Sequence, residues 1–232
     1  MNVLIGIQAR SGSTRLPRKA FELISGKTTL DRVVDTCKHA ADMVENFGHK
    51  CAVAVLTPTG DPIVEEFQSR IEIIEGPEHD VLSRYMIAVE KHDPDLTVRI
   101  TGDCPLIPGA FISYMVSIAM KRGYDYFSNS DERFRTAIDG CDCEVISYRA
   151  FEYLDQAATE AYDREHVTPH MRRNPPPWAK LGLAFNNFDL SDIKLSIDTA
   201  ADLNRVRQAY ERSFSKYQDA VKIYGKGAIH RL

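Results

Sequence analysis

The chain has 232 residues, of which 44% are hydrophobic and 27% are charged, and its formal net charge is −4. This balance excludes the strong positive field with which proteins attract nucleic acids or anionic membrane surfaces. No apolar run reaches the ~18 residues that a transmembrane helix requires, and the N-terminus lacks the features of a secretory signal. The five cysteines are scattered and suggest no disulfide framework. We therefore expect a cytoplasmic protein that binds neither nucleic acid nor a membrane.

The first half of the chain alternates between apolar and amphipathic segments. Apolar runs predict buried strands at 3–7, 51–56, 71–74 and 95–101, and helices are predicted at 28–44, 62–70, 80–91 and 108–121. This order predicts an α/β fold with parallel strands and helices on both faces of the sheet. In such sheets the ligand lies at the carboxyl ends of the strands.

The second half is less regular. Short strands are predicted at 124–128, 142–146, 179–185 and 194–197, and helices at 150–158, 163–172, 200–212 and 217–224. An irregular polar stretch covers 129–140. No repeat and no long linker divides the chain, so we expect one domain over residues 1–232.

A cation-rich loop follows the first strand. Arg10, Arg15, Arg18 and Lys19 lie within ten positions, and the small residues at 11–14 allow backbone N–H groups to point at one spot. A strand that opens into such a loop is typical of a polyphosphate site. The loop matches neither the P-loop nor the G-x-G-x-x-G pattern. The alternative is a solvated basic loop after an edge strand.

Two aspartates stand at equivalent places in the predicted fold. Asp103 and Asp198 each follow an apolar segment and precede a helix. Magnesium is normally held by one or two carboxylates together with phosphate oxygens and waters. Each aspartate also has a simpler interpretation, as a turn residue for Asp103 and as a helix N-cap for Asp198. Because both belong to the same crevice as the cationic loop, we favour a metal site.

Six segments, in the same order along the chain, carry a resemblance to a known family. They are residues 9–19, 80–85, 101–106, 139–145, 164–169 and 197–203. Together they resemble the sugar-acid cytidylyltransferases, which include the CMP-sialic acid and CMP-Kdo synthetases, and most closely the spore-coat polysaccharide branch. The resemblance implies a Rossmann-like nucleotidyltransferase fold of the glycosyltransferase-A type, with three α/β/α layers and a mixed, mostly parallel sheet. It also implies that CTP, a sugar acid and magnesium (Mg²⁺) give a CMP-sugar and pyrophosphate, for bacterial surface polysaccharide.

The resemblance further implies roles for individual residues. Those expected to serve catalysis are Lys19, Arg10, Asp103 and Asp198, the two aspartates by binding the metal. Those expected to bind the nucleotide are Ala9, Arg10, Ser11, Gly12, Ser13, Arg15, Lys19, Arg84 and Thr101. Those expected to contact the acceptor sugar are Asn129, Asp139, Asp142, Glu144 and His166. Residues 1–122 would form the nucleotide-binding half, 123–190 the acceptor and dimerisation region, and 191–232 the part with the second aspartate and C-terminal helices. A homodimer is expected.

The sequence departs from these relatives at three places. Arg18 stands where most of them have glycine, Cys104 replaces the acidic residue of the Kdo branch, and alanines at 200 and 201 replace Pro-Glu. None of these changes removes a charge that the chemistry needs, but Cys104 leaves the identity of the sugar open.

Three other functions compete with this interpretation. One is a nucleotidyltransferase that acts on a sugar phosphate or polyol phosphate. Another is a glycosyltransferase of the same fold, whose D-x-D metal motif is matched only loosely by Asp142-Cys143-Glu144. The third is a catalytically silent nucleotide-binding protein, against which the retained Arg10 and Lys19 argue.

Overall fold

The computed structural model describes residues 1–212 and 229–231, and the helices and strands below refer to these residues. The strands are β1 (Asn2–Gln8), β2 (Leu23–Ile24), β3 (Lys27–Thr28), β4 (Lys50–Pro58), β5 (Glu72–Gly76), β6 (Leu96–Thr101), β7 (Tyr126–Ser128), β8 (Glu144–Ser147), β9 (Leu181–Ala184) and β10 (Ile229–Arg231). The helices are α1 (Thr29–Asn46), α2 (Ile63–Phe67), α3 (Val81–His92), α4 (Gly109–Arg122), α5 (Tyr148–Ala157), α6 (Ala161–His166), α7 (Pro169–Arg173) and α8 (Ala200–Glu211). A three-residue 3₁₀ helix covers Lys19–Phe21.

The main sheet has eight strands in the order β10-β9-β7-β8-β6-β1-β4-β5. Strands β5, β4, β1 and β6 pair in parallel, because each is joined to the next along the chain by a helix that crosses the sheet. Strand β8 runs antiparallel to both β6 and β7, and β9 is parallel to β7. The predicted mixed, mostly parallel sheet is therefore confirmed.

Helices cover both faces of this sheet, as the apolar runs predict. On one face α1 and α4 pack on alternate residues of the central strands, such as Ile5 and Val98. On the other face α3 and α5 pack on the intervening residues, and the rings of Tyr85 and Phe151 stack with centroids 5.7 Å apart. The sheet is thus buried on both sides, which explains its nearly continuous apolar strands.

The helix starts follow the sequence closely. Thr28 caps α1 and Thr199 caps α8, each in a capping box with an aspartate three residues later. Since Thr199 is the N-cap of α8, the simpler interpretation of Asp198 as that cap is wrong. No helix among residues 1–212 is long and apolar enough to cross a bilayer.

Two predicted elements of the second half differ from the observed structure. The helix expected at 163–172 is two helices, α6 and α7, because Val167 between them has a φ of 68°. The segment 194–197 makes only a single bridge, between Asp139 and Lys194, and is not a strand. The helix predicted at 217–224 lies outside the described residues.

Gly140 allows the segment around 139–142 to pack on the segment that leads to Asp198. Its φ is 108°, and an added Cβ would lie 2.4 Å from the amide nitrogen of Ser196. The backbone oxygen of Asp139 accepts hydrogen bonds from Leu195 (2.5 Å) and Ser196 (3.1 Å). The close approach therefore joins two parts of the chain that are more than fifty residues apart.

We expect Gly140→Ala to lower the free energy of unfolding by at least ~2 kcal/mol, since it combines a left-handed backbone with a backbone clash. Urea unfolding measures this change. Gly123→Ala is the matched control, because Gly123 has a φ of 64° but no atom within 4 Å of an added Cβ. An equal loss in both variants would show that the contact with Ser196 contributes nothing.

Candidate active site

A cleft of about 530 Å³ opens at the edge of the sheet where β1 and β6 end. Its walls come from the loop after β1, from residues 101–104 after β6, from the segment at 196–198 and from α6. These parts are far apart in the sequence and meet because parallel strands present their carboxyl ends at one edge.

The loop after β1 is held in a closed shape by its own backbone. Arg18 N donates to Ser11 O (3.0 Å), and both the amide and the hydroxyl of Ser11 donate to Asp61 Oδ2, at 2.8 and 3.0 Å. Ser11 and Gly12 do not line the cleft. The two hydrogen bonds of Ser11 anchor the loop to Asp61. The loop residues that line the cleft are Ala9, Arg10, Ser13, Thr14, Arg15 and Lys19.

Arg18 adopts the left-handed conformation, with a φ of 58°. This conformation favours glycine, which is the residue that the relatives named above usually have here. The Arg18 guanidinium lies over the ring of Phe21, 4.6 Å from its centroid, and does not line the cleft. Of the four cations of the loop, three therefore face the ligand space.

Lys19 joins the two aspartates. Its Nζ donates to Asp103 Oδ2 at 2.6 Å and to Ile197 O at 2.8 Å, and lies 3.6 Å from Asp198 Oδ1. Ile197 N donates to Asp103 O at 3.0 Å, which fixes the residue before Asp198 directly on Asp103. Asp103 and Asp198 thus lie side by side, although segment 194–197 is not a strand.

Cations surround both of these aspartates. Burial raises the pKa of Asp103, but the Lys19 ammonium outweighs it and holds this pKa below its ordinary value. Asp198 also pairs with Arg15 (2.7 Å) and Lys194 (2.8 Å). The site therefore offers two carboxylates surrounded by cations, an arrangement suited to a highly charged anionic ligand.

Hard oxygen ligands are available here for a cation. Within residues 1–212 and 229–231, no group of three or more His, Cys, Asp or Glu side chains is arranged to hold a metal ion. Two carboxylates are nevertheless the number with which proteins commonly hold magnesium, when substrate phosphates and waters supply the other ligands. The donor set of Asp103 and Asp198 fits that chemistry.

The wall nearest α3 is formed by a buried arginine. Arg84 is 2% exposed, and its Nη1 donates to Leu56 O at 3.2 Å, while its Nε has no hydrogen-bond partner among the described residues. Burial lowers the pKa of Arg84. No carboxylate in the described part of the chain forms an ion pair with Arg84, whose side chain lines the cleft. Thr101 lines the floor, and its hydroxyl is 3.0 Å from the Cys104 Sγ.

Three residues expected to contact the acceptor line the cleft. They are Asp139, Asp142 and His166. Arg135 is hydrogen-bonded to Asp142 and lies 3.7 Å from Asp139. The pKa of His166 is lowered, mainly by burial and also by nearby guanidinium groups, so its imidazole is neutral at pH 7.

Two residues expected to contact the acceptor lie beneath the cleft instead. Asn129 is buried, and its side chain donates to Cys141 O and accepts from Cys143 N, both at 2.8 Å. Glu144 is buried and accepts hydrogen bonds from Arg99, Tyr126 and Thr168. Because these bonds occupy their polar atoms, both side chains shape the wall rather than line it.

Six charged or polar lining residues were not predicted from the sequence: Gln8, Thr14, Arg99, Glu132, Glu165 and Ser196. Arg99 could have been recognised in the sequence, since a cation in the middle of an apolar strand is rarely buried unless a partner pairs with it. Glu165 lies 3.6 Å from Arg10, which connects α6 to the loop after β1.

Comparison with known proteins identifies the family. The profile described as cytidylyltransferase matches residues 4–225. The chain belongs to the cytidylyltransferase family. It is a nucleotidyltransferase.

Individual relatives of this cytidylyltransferase cover most of its length. The spore coat polysaccharide biosynthesis protein SpsF of Bacillus subtilis is 27% identical, over 91% of this chain and 88% of SpsF. A 3-deoxy-manno-octulosonate cytidylyltransferase of Alcanivorax borkumensis is 26% identical, over 82% of this chain and 70% of the relative. A solved cytidylyltransferase from Leptospira borgpetersenii is 29% identical with a TM-score of 0.82, over 97% of this chain and 94% of that one. The predicted family and fold are confirmed.

We expect Asp142 to make the enzyme less stable as the pH rises from about 4 to about 7. Burial raises the pKa of Asp142 to about 7, Asp139 and Glu144 add to the rise, and Arg135 opposes it. A carboxyl group that holds its proton more tightly when folded contributes stability below its unfolded pKa and loses it through its folded pKa. The loss is at most about 1.4 kcal/mol of unfolding free energy per pH unit.

Asp142→Asn removes the carboxyl group that titrates. The melting temperature of the variant, minus that of the wild type, should therefore increase between pH 5 and pH 8, as thermal unfolding monitored by circular dichroism can measure. Asp35→Asn, at a half-exposed residue outside the cleft, is the control. A difference that is constant with pH in Asp142→Asn would contradict the raised pKa.

Proposed function

We propose that this cytidylyltransferase transfers CMP from CTP to a sugar acid, a 3-deoxy-2-keto sugar acid or a related compound, and releases pyrophosphate. The observation that carries the proposal is the contact of Lys19 with both Asp103 and Asp198 beside a loop with two further cations at the cleft. The names of the relatives support the acceptor class, since one acts on 3-deoxy-manno-octulosonate and another serves spore coat polysaccharide. We propose that the resulting CMP-sugar is used in the biosynthesis of surface polysaccharide.

In the proposed reaction an acceptor hydroxyl attacks the α-phosphorus of CTP, in line with the departing pyrophosphate. Catalysis then consists mainly of positioning and of charge neutralisation. Arg10 and Lys19 bind phosphate oxygens and stabilise the charge that develops on the leaving group. Arg84 lines the cleft and contributes its positive charge near the nucleotide.

Magnesium is the cofactor that we propose, with Asp103 and Asp198 as its protein ligands. When bound, it supplies neutralisation of the phosphate charge and lowers the pKa of a coordinated hydroxyl. Lys19 holds the two carboxylates close together, where they would bind the ion jointly with substrate phosphates. The homodimer stays a prediction, which light scattering in solution would test.

The glycosyltransferase alternative is disfavoured by burial. Its D-x-D motif would need both outer residues of Asp142-Cys143-Glu144 to present oxygens to a metal. The Glu144 side chain is only 2% exposed, and its oxygens are engaged by three donors. Asp142 alone reaches the cleft.

A pyrophosphate-release assay tests the proposed function. The enzyme is incubated with each of the four nucleoside triphosphates and with magnesium, together with one acceptor at a time. The acceptors are 3-deoxy-manno-octulosonate, N-acetylneuraminate, and sugar 1-phosphates and polyol phosphates as the competing class. We expect release with CTP and a sugar acid, and a CMP-sugar by mass spectrometry. Release only with a phosphorylated acceptor would overturn the proposal.

A further inference from the structure

Arg99 is a cation in the middle of the central strand β6, and it reaches the acceptor side of the cleft. In the sheet it pairs with Gly6 of β1 and with Glu144 of β8. Its side chain is 12% exposed and lines the cleft. Its Nε donates to Gln8 Oε1 at 2.9 Å and its Nη1 donates to Glu144. The guanidinium is thus fixed through two of its three nitrogens.

Glu144 is buried beneath the cleft and orients Arg99 through a hydrogen bond. Besides Arg99, it accepts hydrogen bonds from the Tyr126 hydroxyl (2.5 Å) and the Thr168 hydroxyl (2.7 Å). These donors come from β6, from β7 and from the junction between α6 and α7. Burial would raise the pKa of Glu144, but Arg99 and Arg172 outweigh it, so the carboxylate is ionised. Glu144 therefore orients Arg99 without lining the cleft itself.

The carboxylate beneath Arg99 also interacts with a second arginine. Arg99 and Arg172 both act on Glu144, while the nearby Asp131 is already paired with Arg133 by two side-chain hydrogen bonds, at 3.0 and 2.7 Å. Glu144 is therefore shared by two guanidinium groups, although the carboxylates of Asp142, Glu132 and Glu165 also line the cleft. A largely buried guanidinium that retains free N–H donors is a strong site for a carboxylate, because water competes less for it.

His166 adds a neutral group beside this charge. Arg99 and Arg172 both help to lower the pKa of His166. Its imidazole therefore offers a hydrogen bond to a ligand without adding a charge to the cleft. The Nη2 of Arg99 has no hydrogen-bond partner in the described part of the chain and is left for a ligand in the cleft.

We propose that Arg99 binds the carboxylate of the acceptor sugar, and that Glu144 is the positioning residue for Arg99. This inference rests on the proposed function and names the subsite that selects acids over neutral sugars. The carboxylate oxygens accept hydrogen bonds from the Nη2 of Arg99.

The test compares a sugar acid with the methyl ester of the same sugar, in which the negative charge is absent. The acid is whichever of 3-deoxy-manno-octulosonate or N-acetylneuraminate the wild-type enzyme uses faster. The main variant is the double substitution Arg99→Gln and Glu144→Gln, which removes both charges together and leaves no buried carboxylate unpaired. We expect its KM for the acid to rise ~10- to 100-fold, the scale of a charge-assisted hydrogen bond. Its KM for CTP should stay within about threefold of that of the wild type.

The ratio of kcat/KM for the acid to kcat/KM for the ester distinguishes a loss of carboxylate binding from a general structural effect of the substitutions. We expect the wild type to favour the acid and the double variant to lose most of that preference. The matched control, Arg149→Gln with Asp125→Asn, removes an arginine paired with a buried carboxylate outside the cleft and should keep the preference. If the double variant keeps the wild-type ratio, Arg99 does not bind the carboxylate, even though the proposed function stands. If the wild type uses no sugar acid at all, the proposed function fails, and this inference fails with it.

Discussion

Lys19→Ala is expected to reduce turnover by at least ~10²–10³-fold while the fold is preserved. Among the described residues, Lys19 alone forms ion pairs with both Asp103 and Asp198, and its side chain is 17% exposed at the cleft. A cation in such a place stabilises the charge that develops on the leaving pyrophosphate, and losses on this scale follow when one electrostatic contact of that kind is removed. Removing it also leaves two neighbouring carboxylates without their shared counter-charge.

Steady-state pyrophosphate release measures the effect of Lys19→Ala, and circular dichroism verifies the fold. Lys27→Ala is the matched control, because Lys27 forms an ion pair of the same length with Asp35, 2.6 Å, but both residues are about half exposed and do not line the cleft. The control should keep the turnover of the wild type. Near-normal turnover in Lys19→Ala would refute the role of Lys19.

Asp198→Asn is expected to reduce turnover by at least ~10²-fold and to raise the magnesium concentration needed for half-maximal rate. Asparagine keeps the size of the side chain but removes the charge that Arg15, Lys19 and Lys194 surround. Arg15 and Lys194 are partly exposed, so the loss of these ion pairs should lower stability by no more than about 1 kcal/mol. The variant thus separates the chemistry from the fold.

Titration of magnesium against turnover, alongside thermal unfolding, measures both effects of Asp198→Asn. Asp35→Asn again serves as the control. An unchanged magnesium requirement together with normal turnover would mean that Asp198 serves only the local packing, and the proposed pairing with Asp103 at a metal would then be abandoned.

Much of the fold could be predicted from the sequence, because its signals are local. The apolar runs specify strands that are buried on both faces, and the amphipathic segments between them specify crossing helices. Thr28 and Thr199 specify helix starts through capping boxes that need only four consecutive residues. The position of the cationic loop and of Asp103 at strand ends follows from the same alternation, which is why Lys19 and Asp103 were predicted to lie in one crevice.

Only the tertiary structure decided which polar residues of the second half reach the ligand space. A strand pattern gives the face on which a side chain lies but not its depth, so Glu144 and Asp142 look alike in sequence, although one is buried under Arg99 and the other lines the cleft. The place of Asp198 depends on hydrogen bonds to Asp103 and on the packing of Gly140, which join segments distant in the chain. Such contacts form because the closed fold brings the segments together, and no local pattern of residues encodes them.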